Sequence, residues 1–220
     1  FGPHTLRALE DFQHNSGLYV DGVCGPDTVK ALQVLARQTG TGPGVAAVRE
    51  LEQLTAGARE LAELRVVVGQ FGGLSALSRQ LVQALRHRSA TVSATDEPDA
   101  PAQAAAANRF AAHVYVGFEA GTDPGVTIHF YKVPQFESAG GHRLADAIRS
   151  HWSVEQPEIE PSVTGMRLPV LRETRMPAVL ITIGHVQVAL GHAREIADAV
   201  LAGLADWASG TPDARSTPSR

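Results

Sequence analysis

Hydrophobic positions in this chain recur with two different periods. Leu6, Leu9 and Phe12 lie three residues apart, as do Val29, Leu32 and Leu35, the spacing of one helix face. Farther along, Val66-Val67-Val68 and Ala178-Val179-Leu180-Ile181-Thr182-Ile183 form short, nearly continuous apolar runs of the kind that fill central strands covered on both faces. Val114, Val116 and Phe118 alternate with other residues, as do Val126, Ile128 and Phe130, which predicts two more strands. Between and after them, three sets keep helical spacing: Leu74, Leu77, Leu81 and Leu85; Leu144, Ile148 and Trp152; Ile196, Val200, Leu204 and Trp207. Alternating strands and helices predict a three-layer α/β domain with a largely parallel sheet. Sites in such domains lie at the carboxyl ends of the strands.

The amino-terminal part is built differently. Gly2-Pro3-His4-Thr5-Leu6-Arg7-Ala8-Leu9 returns 23 residues later as Gly25-Pro26-Asp27-Thr28-Val29-Lys30-Ala31-Leu32. In each copy the glycine permits a turn, and the proline suits a first helical turn, where its missing N–H costs nothing. Asn15-Ser16-Gly17 stops the first helix, and Val20-Asp21-Gly22-Val23 makes a tight Asp-Gly connection, so a small helical hairpin is expected. Thr39-Gly40-Thr41-Gly42-Pro43-Gly44 reads as a linker, followed by a helix-like stretch with Val48, Leu51, Leu54, Leu61 and Leu64 on one face. The expected division is therefore an all-α module over 1–38, linker and helix over 39–64, the α/β domain over 65–208 and a disordered tail over 209–220.

Composition adds exclusions. With 220 residues, 44% of them hydrophobic, the chain can fill one α/β core and a small accessory unit. A net charge of −4 offers no basic face for a phosphate backbone, so nucleic acid is not an expected partner. Cys24 is the single cysteine, which rules out an internal disulfide and a cysteine metal cluster and leaves a small buried apolar role as its expectation. No apolar run reaches the roughly 20 residues needed to span a bilayer.

Phe1-Gly2-Pro3, Thr5, Ala8-Leu9, Phe12-Gln13, Gly17-Leu18 and Asp21-Gly22-Val23-Cys24-Gly25 together resemble the peptidoglycan-binding modules of cell-wall hydrolases. The match begins inside the module, without its first helix, so a secretory signal upstream stays an open question. The order of elements from residue 65 to about 207 resembles the zinc-dependent N-acetylmuramoyl-L-alanine amidases. In that family a first strand runs into Asp-Pro-Gly-His-Gly-Gly, whose histidine binds zinc, and a glutamate opening the next helix is the second ligand. A strand ending Ser-Ile-His-Ala-Asn carries the third ligand, and a Pro-Ala-Val-Leu-Val-Glu-Leu-Gly-Phe strand carries the catalytic glutamate.

Here the first strand ends Val68-Gly69-Gln70-Phe71-Gly72-Gly73, so Phe71 stands at the first histidine position. The next element opens at once with Leu74-Ser75, which leaves Leu74 or Ser75 near the second ligand's place. Val116-Gly117-Phe118-Glu119 puts Glu119 at the third, and Pro177-Ala178-Val179-Leu180-Ile181-Thr182 puts Thr182 at the catalytic glutamate. A benzyl ring has no lone pair for a metal, and a neutral hydroxyl cannot take a proton from water near pH 7. The resemblance therefore implies a pseudoenzyme with no catalytic residue, no bound metal and no cofactor.

Leu171-Arg172-Glu173-Thr174-Arg175-Met176-Pro177 and Val20-Asp21-Gly22-Val23-Cys24-Gly25-Pro26 are similar to the actinobacterial CwlM-type subgroup. That resemblance implies a cytoplasmic regulator of peptidoglycan precursor synthesis, binding peptidoglycan or its precursors and acting on the enolpyruvyl transferase MurA or on a lipid II exporter. Two other readings remain open at this point: a zinc amidase with a site rebuilt from Glu119 and His185, and an extracellular peptidoglycan-anchoring protein. His129 and His142 are weaker candidates, the first on one sheet face and the second opening a helix after Gly140-Gly141. Glu155-Gln156-Pro157-Glu158-Ile159-Glu160-Pro161 reads as a solvated connection stiffened by prolines. Thr211, Ser216 and Thr217 lie in the tail.

Overall fold

A computed structural model describes residues 2–15, 19–29, 59–134, 136–154 and 160–210. The chain divides into two units, Phe1–Ala46 and Ala47–Arg220. The expectations for Leu32, Leu35, the linker at 39–44, the helix face of Val48, Leu51 and Leu54, the acidic run over 155–159 and the tail residues Thr211, Ser216 and Thr217 fall outside the described residues.

In the first unit, α1 (Pro3–Asn15) starts at the predicted proline. Residues 26–29 begin a second helix at Pro26, the same position in the repeat. The connection turns at Gly22, whose φ of 66° is the left-handed conformation that glycine adopts without a Cβ penalty. One buried side chain organises this turn. Gln13, 1% exposed, accepts the N–H groups of Asp21 (3.1 Å) and Gly22 (2.9 Å). Its Nε2 lies within hydrogen-bond distance of Asp21 Oδ1 (2.8 Å), the Val23 carbonyl (2.9 Å) and Thr28 Oγ1 (3.1 Å). Cys24 is exposed, which corrects the expectation of a buried apolar role: the turn's interior is polar and Gln13 fills it.

Among the described residues, the second unit is built on a seven-stranded sheet. Its strands are β1 (Arg65–Phe71), β2 (Thr91–Thr95), β3 (Val114–Gly121), β4 (Val126–Val133), β5 (Phe136–Glu137), β6 (Pro161–Met166) and β7 (Ala178–Gly184). The order is β2-β1-β3-β7-β4-β5, with β6 also on β4. β2, β1, β3 and β7 are parallel; β4 runs antiparallel to β7 and carries β6 parallel to itself. The largely parallel sheet is thus as predicted, with a reversal at β4.

Strand alternation sends the two sides of the sheet into separate cores. On the first face, Val66, Val68, Val116, Phe118, Ile181 and Ile183 pack in one cluster with Leu77, Leu81 and Leu85 of α2 (Ser75–His87), Leu144 and Ile148 of α4 (Ala139–Ser150), Ala189 of α6 (Val186–Gly191), and Ile196, Val200 and Leu204 of α7 (Ala193–Ser209). On the second face, Val67, Tyr115, Ala178 and Leu180 pack with Ala104 and Ala107 of α3 (Ala100–Arg109) and with Val170 and Leu171 of α5 (Pro169–Glu173). α3 begins at Asp99, whose carboxylate accepts the Ala102 N–H at 2.9 Å, with proline in its first turn. It brings the fully buried Gln103 over Gly69, where a Cβ would collide with Gln103 Oε1 and the Tyr115 hydroxyl. Gln103 donates to the carbonyls of Gln70 (3.1 Å) and Glu97 (2.6 Å) and accepts from the Tyr115 hydroxyl (2.7 Å).

Three boundaries differ from expectation. Leu61 and Leu64, read as part of a helix before the domain, belong to the α/β unit: Leu61–Glu63 is a 3-10 turn, Leu64 is buried, and the Arg59 N–H donates to the Ala208 carbonyl at 2.8 Å. Pro161 opens strand β6 instead of closing a loop; its missing N–H is tolerated at a strand start on the sheet's margin. Ser209, assigned to the tail, ends α7 and is followed by Gly210 in the left-handed conformation that stops helices.

Candidate functional site

The register of the sheet sets the candidate positions side by side. Phe71 pairs with Glu119, Glu119 with Thr182, Thr182 with Thr127 and Thr127 with Ser162. Paired residues point to the same side, so these five form one row across the second face, beyond the helices α3 and α5 that cover the strands' other ends. Phe71, Glu119, Thr182 and Thr127 are half-buried and Ser162 is exposed. Three positions chosen from separate stretches of sequence thus meet on adjacent strands. Leu74 does not join them: its side chain is fully buried in the first-face core, and its N–H donates to Gln70 Oε1 at 2.9 Å.

Within the row, the Thr182 hydroxyl donates to Glu119 Oε2 at 3.1 Å. Thr127 and Ser162 hydroxyl oxygens lie 3.1 Å apart, in hydrogen-bond contact. His129, one pleat along β4, lies on the same face, paired with Leu180 and Thr164. Its Nδ1 is buried with no hydrogen-bond partner among the described residues. Burial holds the imidazole below its ordinary titration range, while the negative charge of Glu119 pulls the other way. Tyr115, deeper on this face, is pushed far above the ordinary phenol range by burial and then by Glu119. The sequence contained a signal for Thr127 and His129, since Val126, Ile128 and Phe130 face the first core and leave the residues between them to the second face. Nothing local marked Ser162, because β6 is placed only by its pairing with β4.

His185 follows β7 and is exposed, with φ at 58°. Gly184 before it is packed so tightly beneath Asp123 that a Cβ would strike the Asp123 carbonyl, and its N–H donates to the Gly125 carbonyl at 2.7 Å. His142, at the start of α4, stacks on Phe130 with ring centroids 4.3 Å apart and contacts Glu137 and Asp146, on the other side of the sheet from the row. Among the described residues, no group of three or more His, Cys, Asp and Glu side chains is placed to hold a metal ion. A zinc site needs three protein ligands with nitrogen, sulfur or carboxylate donors. The row supplies one carboxylate, a phenyl ring and hydroxyls, so its donor set does not fit zinc.

Residues 1–32 match the model of the putative peptidoglycan binding domain. The N-acetylmuramoyl-L-alanine amidase CwlM of Mycobacterium tuberculosis is 26% identical over 216 residues, covering 84% of this chain and 53% of that protein. Two solved structures share the fold of the α/β unit: amidase AmiC2 of Nostoc punctiforme and the catalytic domain of CwlV from Bacillus (Paenibacillus) polymyxa. Each has a TM-score of 0.54 at 16% identity over 66% of this chain, and the match covers 96% of AmiC2 and 98% of CwlV. The chain is thus similar to the N-acetylmuramoyl-L-alanine amidases in sequence and in the fold of its α/β unit. It joins the amidase fold to a peptidoglycan-binding-type module, as the sequence resemblance implied. The chain spans about half the length of the curated amidase it matches. In this chain the row from Phe71 to Thr182 occupies the strand ends where α/β folds place their chemistry.

Proposed function

We propose that this amidase-like protein is a pseudo-amidase: a non-catalytic binding and regulatory protein of peptidoglycan precursor synthesis. One observation carries the reading. The strand-end row offers Phe71, Glu119 and Thr182 in direct register, and the one carboxylate among them is already engaged by the Thr182 hydroxyl. Hydrolysis of an unactivated amide by the zinc route needs a held metal, a water made acidic by it and a base to take the proton. A benzyl ring and a hydroxyl supply none of these. What the fold retains is a polar shelf and a helical module able to bind. Peptidoglycan or its precursors are the ligand class supported by the module's family match.

We further propose, on the CwlM-type resemblance, that it acts in the cytoplasm, with the enolpyruvyl transferase MurA or a lipid II exporter as the protein partner. The test combines zinc content by elemental analysis, after zinc is offered to the purified protein, with muropeptide cleavage on the same sample. The proposal expects neither bound zinc nor cleavage. One tightly held zinc per chain together with cleavage would overturn it and return the rebuilt amidase site, with Glu119 and His185 as the first residues to substitute.

A further inference from the structure

The sheet ends on one side at β2, which pairs with β1 alone among the described residues. The Thr91 N–H donates to the Leu64 carbonyl at 2.9 Å, on the β1 side. Successive residues of a strand direct their backbone groups to opposite sides, so Val92 and Ala94 present N–H and C=O groups outward. The strand reads Thr-Val-Ser-Ala-Thr, with continuous register from Arg65↔Thr91 to Gly69↔Thr95. Charged side chains, prolines and bulges are the usual means of protecting such an edge, and β2 has none of them.

Beside this edge lies a groove of about 620 Å³ lined by Arg79, Val82, Gln83, Arg86 and His87 of α2 and by Ala94 of β2. Spacing of three to four residues puts the α2 members on one stripe. Arg79, Arg86 and His87 are exposed, and among the described residues no carboxylate forms an ion pair with them. An open edge and a row of unpaired cations on the same side ask for one complement: an extended chain with acidic side chains at alternate positions.

We infer that the β2 edge is a docking site for an extended acidic segment of another protein, which adds to the sheet as a strand and lays its carboxylates against Arg79 and Arg86. Backbone pairing supplies the attachment, and the α2 stripe selects the side chains. A second copy of this chain fits less well, because antiparallel β2–β2 pairing about a two-fold axis brings two α2 stripes to the same side of the joined sheet, cation against cation. The inference goes beyond the pseudo-amidase reading and holds whether or not the strand-end row is catalytic.

The test uses the full chain and a blocked, fluorescent peptide alternating Glu and Val, about eight residues long to match a strand. A Lys-Val peptide is the control. Expected results are binding of the acidic peptide alone and slowed amide exchange at Val92 and Ala94. Affinity should fall by about 10-fold or more, a change of roughly 1.4 kcal/mol, in Ala94→Pro and in the Arg79→Glu/Arg86→Glu double variant. Ala94→Pro removes an outward N–H and leaves the β1 ladder intact; if it does not fold, the double variant carries the test. Any of four results overturns the inference: no binding at millimolar peptide, binding without slowed exchange at Val92 and Ala94, preference for duplex DNA or phosphatidylglycerol vesicles, or a dimer formed through β2.

Discussion

The Thr182 hydroxyl on β7 donates to the Glu119 carboxylate on β3 across 3.1 Å, between residues that are register partners in the sheet. The contact spans 63 positions of sequence. It ties the position expected for a catalytic glutamate to the position expected for a metal-binding histidine, and the tie is a neutral hydroxyl on a carboxylate. Replacing that hydroxyl with a second carboxylate should therefore be felt as charge repulsion.

Thr182→Glu places two carboxylates on paired positions, so one must be held protonated and its folded-state pKa rises. A raised acid pKa leaves stability unaffected while the group is protonated in both states and lowers it as pH climbs past the ordinary glutamate value of about 4.3. The expected loss relative to the parent protein is about 1–3 kcal/mol at pH 8, shrinking towards pH 4. Urea unfolding at the two pH values measures it; a pH-independent difference would show that the two carboxylates do not interact.

Gln103 is fully buried and has each of its polar atoms engaged, with Gln70, Glu97 and Tyr115 as partners. Gln103→Leu takes this partner from the buried Tyr115 hydroxyl and Gln70 carbonyl, each worth about 1–3 kcal/mol, and from the part-buried Glu97 carbonyl. We expect a total loss of about 2–5 kcal/mol. Tyr115→Phe should cost less than Gln103→Leu, and the double variant should cost less than the sum of the two. Chemical denaturation of the three variants closes this cycle, and simple additivity would rule out the network.

In the helical module, Asp21 accepts the Val23 N–H at 2.9 Å and contacts Gln13 Nε2, which hold its carboxyl below the ordinary value of 3.8. A depressed carboxyl contributes stability that is present above its unfolded value and lost as pH falls through the folded one. The module should therefore loosen below about pH 4, seen as faster amide exchange at Gly22, and Asp21→Asn should flatten that dependence. Gln13→Ala strips the turn of its central partner at any pH. It should expose the Gly22 amide to exchange at pH 7, with the α/β unit's protected amides unchanged.

His113 accepts the Arg65 N–H on Nδ1 at 3.1 Å. Burial, then the charges of Arg59 and Arg65, hold it below the ordinary value of 6.5. Its folded pKa is depressed, so the unfolded chain takes up the proton first: stability is complete above pH 6.5 and falls as pH drops towards the folded value. We expect a lower thermal midpoint at pH 5 than at pH 7.5. His113→Asn keeps an acceptor near the Nδ1 position without a titration and should shrink the difference, leaving the part due to His129. An unchanged difference would assign the pH dependence elsewhere.

The sequence by itself determined what short-range periodicity can encode. The apolar runs of β1 and β7, the alternation of β3 and β4, and the helical spacing in α2, α4 and α7 were legible because each is a pattern of neighbours facing a core. So were the module's repeat and the identities of Phe71, Glu119 and Thr182 at three strand ends. Tertiary structure alone decided who sits beside whom. It inserted β7 between β3 and β4, which sets Glu119 against Thr182 and brings Thr127 and Ser162 into the same row. β2 and β6 escaped the pattern because marginal strands, exposed along one edge, need no continuous apolar run. Leu74 kept its helical spacing in the sequence, yet only the packed sheet showed that it turns into the core and away from the row. The physical reason is the same in each case: local preference and amphipathic period act over a few residues, whereas strand register and burial are set by pairings between segments far apart in the chain.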